Sequence, residues 1–594
     1  MKKTFKYFLI IAVITAFAFS GCEGPEGLPG GPSGQWPDPE GQTTVNILMD
    51  SIQVSLARGN NTTLTATAQP SYSTVSRLTW RLEDETSAEI IRLSRPGSGS
   101  ASSSLSGGSV VVTALTGGEA RIRVTALGGG NTELATIITI TVPSITNHLN
   151  ALRTLETLPP TFSIPMEAAE DLILPEFLYF DGETVEITIT GTGETLLLQG
   201  TGALFRIGNG VTLRLQGVTL QGLNPNPGGA FVIVENGGTL IMEAGSKITG
   251  NINTAPGTGV NLVNQGGAVR INSGGTFTMN DGEISDNSTI VEGGGVFNLG
   301  TFNMNGGTIS DNATTSGVVI TSGGAGVSNR GTFNLNGGLI LFNTVNAARG
   351  AGGGVLNALT ASVFVMVDGS IIGNEAGSGG GVINFGEFTM HDGLISQNDA
   401  LNTVGADLPG GGGVSNFRNF TMLGGTISDN TAAIEGGGVI NYFVFTMEDG
   451  EISGNTTFYG GGVANRNTFN MHGGTISGNT AEYAQGLRGG GGGVCNLGST
   501  FYMFGGTISG NKAGHAGGGV DNDAGTFRMI NGIIHGTNET ATALRNESEV
   551  GSALFAGAAG ATAERGTYSG GVFTQIANIL TSNTTINVVN GVRQ

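Results

Sequence analysis

The sequence predicts an all-β protein in which a long parallel β-solenoid follows a separate β-sandwich of about a hundred residues. Three observations carry that expectation. Glycine supplies 106 of the 594 residues, while aromatic residues make up only 6% and charged residues 12%. Glycine at that level without a sustained triplet period excludes collagen, and an apolar share of 38% is too high for a disordered chain. From Val269 to Ile534 a single phrase recurs ten times. Ahead of it, short runs of alternating polarity are divided by Gly, Asn and Pro.

Lys2, Lys3 and Lys6 precede the apolar run YFLIIAVITAFAF, which ends at SGC. That layout over residues 1–21 is an export signal, too short to span a bilayer as a helix. With Cys22 following it, the stretch resembles the bacterial lipobox, although Phe19 stands where Leu is usual. The resemblance implies lipidation at Cys22 and attachment to the membrane through that lipid. The alternative is a signal cut nearby with an incidental cysteine. Residues 22–43 include EGPEGLPGGPSGQWPDPEGQT, whose Gly triplets break at Gly30 and Gly31, so this segment is a Pro/Gly tether.

Residues 44–142 read as period-two strands: SIQVSLARG, TTLTATAQP, RLTWRLED, GSVVVTALTGG, ARIRVTALGGG and ATIITITV. Strands at this spacing with turns between them predict a β-sandwich. LTATAQP, Trp80 in LTW, and VTALTGGEARIRVTA ahead of TITV resemble the bacterial group 2 Ig-like domains. The resemblance implies an Ig-like spacer or adhesive unit, with Trp80 in its core. Residues 143–170 are expected to be a cap or linker. There Leu149, Leu152, Leu155 and Leu158 stand three apart on a short amphipathic helix, with His148 beside the stripe at the surface.

In the repeat each copy holds a Val, then Phe and Met or Leu two residues apart, then Ile five residues further on. Three residues past that Ile stands Asn in nine copies, from Asn287 to Asn511, with Thr537 as the exception. From this Asn to the next Val the distance runs from 8 to 16 residues, so length variation is concentrated at one corner. A solenoid behaves this way, because strands must stay in register while loops leaving the stack grow at little cost. Each copy supplies three short strands, around GGV.N, TF.M and TIS, which suits a three-sided parallel β-helix. Alternation turns Val, Phe, Met and Ile inward and the Thr or Asn between Phe and Met outward. The third residue after Met is Gly in all ten copies, preceded by Asp, Gly or Asn, so a tight turn is expected there. A second recurring Asn, two residues after Val, from Asn298 to Asn522, is expected to stack as a hydrogen-bonded ladder.

VEITITGTGETLLLQG and its neighbours upstream are expected to be the first coils, so the solenoid is assigned to 171–594, with GTYSGGVFTQIANILTSNTTINVVNGV as capping strands. The phrases GGTFTMNDGEISDN, GGTISGNTA and GGGV.N resemble the right-handed parallel β-helix repeats of bacterial surface lipoproteins, familiar from spirochaetes. They are distantly similar to repeats of the polymorphic outer-membrane proteins and of pectate-lyase-like proteins. The resemblance implies a right-handed helix and a place on the outer membrane, exposed at the surface or facing the periplasm. Fewer than sixty residues follow Gly536, too few for the translocator barrel of the polymorphic proteins, so lipid is the expected anchor.

A net charge of −20 argues against nucleic acid as a partner. Asp281, Asp368, Asp392 and Asp449 recur where Gly also stands, and are expected to be turn formers rather than calcium ligands. Five histidines share no spacing, Cys495 is isolated, and no nucleophile elbow or phosphate loop is evident. No catalytic residue, metal or cofactor is therefore expected. Two binding surfaces are candidates. On the long corner Arg349, Asp407, Tyr483 and Arg488 could form one ridge. Three residues after Val in successive coils stand Phe385, Phe417 and Tyr442, with Arg466 next, an aromatic ladder on which a polysaccharide could lie. The functional expectation is a non-enzymatic, lipid-anchored surface adhesin or glycan-binding scaffold. The alternatives are an anchored polysaccharide lyase or glycosidase and an envelope scaffold without a specific ligand.

Overall fold

The computed structural model describes residues 46–594 except 50, 57–60, 70–77, 99, 116–117, 128–132, 143, 167–169, 173–175, 181, 256–264, 316–322, 347–349, 402–409, 484–488, 558–559 and 580. The stretches read as export signal and tether, with Cys22, lie outside the described residues. So do Arg349, Asp407 and Arg488.

The N-terminal unit is two sheets around one core. A four-stranded sheet holds Asn46–Met49, Asn61–Gln69, Ser109–Ala114 and Ile91–Ser94. A five-stranded sheet holds Gln53–Ser55, Glu133–Val142, Gly118–Leu127, Leu78–Leu82 and Ser104–Ser106. Leu64, Leu93 and Val112 from the first meet Trp80, Ile122 and Ile138 from the second. Trp80 is fully buried and satisfies its polar atom by donating Nε1–H to the Gly107 carbonyl at 2.8 Å.

A short helix, Ile145–Arg153, follows, started by Ser144, whose hydroxyl accepts from the Asn147 amide at 3.0 Å. Ile145, Leu149 and Leu152 join the solenoid core, so the helix closes that end. The leucine stripe is shorter than its spacing predicts. The helix stops at Arg153 and Leu155 is exposed, while Leu158 only packs against the core from its edge. The first solenoid strand, Thr161–Pro165, pairs in parallel with Val185–Thr190 and so lies inside the segment read as cap and linker.

From there the chain is a parallel β-solenoid. Its Phe/Met strands form a 16-stranded sheet, its Ile strands another of 16 strands, and its Val-x-Asn strands a third of 14. These are called the Phe, Ile and Val sheets below. The sequence pattern predicts three strands per coil; a fourth ladder of ten two-residue strands, such as Thr431–Ala432, turns out to run between the Ile and Val sheets. It forms because the two residues after the buried Asn pair coil to coil before the corner begins. Val414, Phe420, Met422 and Ile427 lie in register with Val439, Phe445, Met447 and Ile452, and all eight are buried. The ten inward phenylalanines, Phe277 to Phe527, form one stack with ring centroids 4.6–5.0 Å apart.

Both recurring asparagines are fully buried ladders. In the Val sheet, Nδ2 of each from Asn298 to Asn496 donates to Oδ1 of the next at 2.7–2.9 Å. The Asn after Ile builds a second ladder from Asn287 to Asn546, with Nδ2–Oδ1 distances of 2.9–3.1 Å. Asn546 takes the place that Thr537 leaves vacant in the repeat, after an insertion. The residue before each Asn from Asn287 to Asn511 sits at positive φ: Asp286, Asp311, Phe342, Gly373, Gln397, Asp429, Gly454, Gly478 and Gly510, at 52–67°.

The parallel order ends with two reversals. Thr562–Ser569 continues the Phe sheet and folds into an antiparallel hairpin with Val572–Asn578. Ile586–Val589 runs antiparallel to Gly532–Ile534. Ile586 and Val588 enter the solenoid core from the segment that the sequence reads as capping strands.

Candidate functional site

The outer face of the Val sheet carries the aromatic ladder. In each coil the residue just after Val points away from the solenoid core yet is buried, from Arg270 to Asp521. A second layer therefore covers this face. Leu356, Ile383 and Ala358 form a small apolar cluster, and Phe385 and Phe417 pack over it. The backbone register that stacks Asn384, Asn416 and Asn441 also stacks the residues that follow them. Phe385 and Phe417 lie 4.9 Å apart between ring centroids, Phe417 and Tyr442 4.6 Å, with planes inclined by 20° and 9°. All three rings are half-buried.

This geometry fixes what the ladder can do. Parallel rings under 5 Å apart cover one another's faces, so a sugar cannot lie flat on the inner rings, as the sequence reading of a stacking platform requires. Their edges remain at the surface. The ladder is first a roof over the Leu356 and Ile383 cluster, and between its rings it offers a ligand only their edges.

Arg466 ends the ladder, its guanidinium 6.0 Å from the Tyr442 ring centroid. It does not reach free into solvent: Nε donates to Glu435 at 2.6 Å and a second guanidinium nitrogen binds the other carboxylate oxygen. Glu435 is the fourth residue before Val439 and Arg466 the third after Val463. Glu292 and Arg330 repeat this placement in earlier coils, with contacts of 2.9 and 2.7 Å. Such bidentate pairs tie the end of the corner to the outer face of the next coil. The sequence reading missed both, although the spacing is legible once the coils are aligned. Burial holds the Tyr442 hydroxyl pKa above the ordinary tyrosine range, with the Glu435 carboxylate adding to the rise and Arg466 opposing it.

Of the corner residues, Tyr483 is described and is the most exposed large apolar side chain among them, at 66%. It stands at the border of an insertion, beside Gly514 of the following coil.

Asp281, Asp368, Asp392 and Asp449 each accept from the amide of the following glycine at 2.7–2.8 Å, which is turn formation. The positive φ lies on that glycine in all ten copies, not on the residue before it. A shallow hollow at the Phe–Ile corner is lined by Asp392, Thr426, Asp449, Glu451 and Thr475. Among the described residues no three of His, Cys, Asp and Glu are placed to hold a metal. The histidines are dispersed: His148 faces the Ser144 carbonyl, His472 stacks on Phe504, and His515 and His535 meet Glu549 and Glu539. Cys495 is a free, fully buried thiol, its pKa pushed up by burial and then by the nearby Asp521 carboxylate. Among the described residues no helix is long and apolar enough to cross a membrane.

The chain is thus an all-β protein whose main body is a long parallel β-solenoid. No protein-family model matches it, and no curated protein does. Among solved structures it is similar to the crystal structure of the S-layer protein SbsC domains 4 and 5, with 22% identity and a TM-score of 0.12. That match covers 17% of this chain and 51% of the other, so the chain spans about half the length of that structure. A similarity of that size carries no weight for fold or function.

Proposed function

We propose that this is a lipid-anchored surface protein in which a tether and an Ig-like spacer carry a right-handed β-solenoid, and that the solenoid is a rigid scaffold displaying a ligand-binding edge. One observation carries the reading. Coil length varies from 8 to 16 residues between the buried Asn and the next Val, yet every strand on either side stays in register. Most of the growth is at one corner, against a spread of 6 to 9 residues between Val and Phe, the pattern of a scaffold that varies mainly what it presents. Tyr483 and the insertions holding Arg349, Asp407 and Arg488 belong to that corner. The edges of Phe385, Phe417 and Tyr442, with Arg466, border it through the Glu435 pair. An adhesive role toward a glycan or host surface fits this arrangement, with affinity accumulating over several weak contacts.

The Ig-like assignment is supported by two sheets sharing a core around Trp80. The test of function combines a glycan-array screen with an assay for released reducing or unsaturated sugar. Retention without release is the expected result, and release would transfer the protein to the polysaccharide-degrading enzymes. Membrane fractionation of Cys22→Ser checks the anchor: the variant should appear in the soluble fraction, and unchanged membrane association would overturn that part.

A further inference from the structure

In the ten repeat copies the outward positions of the Ile sheet follow a rule that three successive coils break, with Ile533 of the last copy the one other apolar exception. In the strands beginning at Glu283, Thr308, Thr426, Glu451, Thr475 and Thr507, the residues flanking the buried Ile are Glu, Thr or Ser. Between them, Leu339 and Leu341 flank Ile340, Ile372 follows Ile371, and Leu394 precedes Ile395. Register makes these neighbours: Leu341 pairs with Ile372, and Leu339 and Leu394 lie on either side of Ser370. Val367, on the turn leading from the Phe sheet in the same coils, is 43% exposed, and Leu339 is 39% exposed.

Phe342 is a second, independent irregularity. It occupies the positive-φ corner at +52°, where the other coils carry Asp, Gln or Gly. An L-residue there costs about 1–2 kcal/mol, and a bulky one is a true outlier. The next coil is shaped to accept it: a Cβ on Gly373 would lie 2.6 Å from the Phe342 ring. The strain does not serve burial, since Phe342 is 56% exposed. Strain held in place to present an aromatic ring to solvent points to an interaction.

Charge indicates the kind of partner. Asp311 holds the equivalent corner one coil before Phe342, Asp368 follows Val367, and Glu375 stands in register with Asp399 on the adjoining short ladder. From Gly350 to Phe417 the sequence contains no Lys or Arg. A second copy of the chain would bring two acidic rims together, which is unfavourable. We propose that Leu339, Leu341, Phe342, Val367, Ile372 and Leu394 form a docking site for a partner segment with a row of apolar side chains flanked by Lys or Arg. The apolar row covers the exposed patch, and the flanking cations meet the acidic rim.

The site is independent of the lipid anchor and of the variable corner, so either can fail without affecting it. The test uses the variant Leu339→Thr/Leu341→Ser/Phe342→Gly/Ile372→Ser, in which each new residue is one that other coils carry at the same place. Removing strain at 342, it should unfold at the same or a higher temperature than the parent. The probe is a fluorescein-labelled amphipathic peptide of leucine and lysine, read by fluorescence anisotropy at physiological salt, beside its leucine–glutamate counterpart. Saturable binding of the lysine peptide to the parent, weakened roughly tenfold or more in the folded variant, and no binding of the glutamate peptide are the expected results. Absence of saturable binding to the parent, or equal binding by the variant, overturns the proposal. So does a parent dimer in sedimentation that the variant abolishes, because the occupant would then be a second copy.

Discussion

Replacing Asn430 by Ala isolates the contribution of the second asparagine ladder. Asn430 is fully buried. Its Nδ2 donates to Asn455 Oδ1 and to the Ile395 carbonyl, each at 2.9 Å. Its Oδ1 accepts from the Asn398 amide at 3.0 Å and from Asn398 Nδ2 at 2.9 Å. In the alanine variant Asn455 Oδ1 keeps one donor, the backbone amide of residue 430. The Asn398 amide and one Asn398 Nδ2–H lose their partners inside the stack, and the Ile395 carbonyl, which lies in the Ile-sheet ladder, loses its second donor. Each orphaned buried group costs about 1–3 kcal/mol, so two cost roughly 2–5 kcal/mol. The comparison is Asn336→Ala, which also removes a coil-to-coil Asn bond, of 2.8 Å, but at an exposed position. That change should cost under about 0.5 kcal/mol. Coils of a solenoid can open separately, so native-state hydrogen exchange of the amides at 398 and 430 should accompany denaturant unfolding. Equal losses for the two variants would refute the claim that burial, not the bond itself, gives the ladder its value.

Three further outcomes are expected. Gly474→Ala should destabilise by roughly 3 kcal/mol or more, because a Cβ at φ +78° meets the Met447 methyl and the Gly450 carbonyl at 2.6 Å. Gly478→Ala, at φ +65° with nothing nearer than 3.9 Å, should cost only about 1 kcal/mol; denaturant midpoints of the two variants check the contrast. The raised Tyr442 pKa means that the unfolded chain ionises this group first, near the ordinary value of 10.0, so its stabilisation is intact below that pH and declines above it. Tyr442→Phe should flatten the loss of stability on the alkaline side of that value, measured by unfolding at successive pH. In a Cys22→Ser background the Cys495 thiol should resist a thiol reagent in the native state and react fully after unfolding; fast native reaction would contradict its burial.

How far the fold was legible follows from which residues face inward. Phe, Met and Ile recur at fixed intervals, with Val six to nine residues ahead of Phe, because each must stack on its copy in the next coil, so register is written largely into spacing. The Asn two residues after Val was legible for the same reason. The Asn after Ile was visible as a repeat, but its ladder was not, because an amide paired in a corner looks in sequence like a turn residue. The fourth ladder escaped because two residues give no alternation to read. The Phe385 ladder shows a different limit. Spacing placed the rings one coil apart, but only the side-chain planes reveal that the faces are closed against each other. The acid–arginine pairs were hidden by sequence distance: Glu435 and Arg466 are neighbours only once the coil lengths between them are known.

The central claim is that the stack is a fixed scaffold and that recognition lies on its variable corner. Deleting residues 402–409 reduces the Asn398–Val414 spacing from 16 to the 8 residues of the Asn455–Val463 coil, and deleting 484–488 shortens a second insertion. The direct measurement is binding of this double-deletion variant to whichever glycan or cell surface retains the parent, with unfolding temperature and far-ultraviolet circular dichroism recorded alongside. The scaffold account predicts an unchanged spectrum and unfolding temperature with binding lost. Undiminished binding by a folded variant would contradict it.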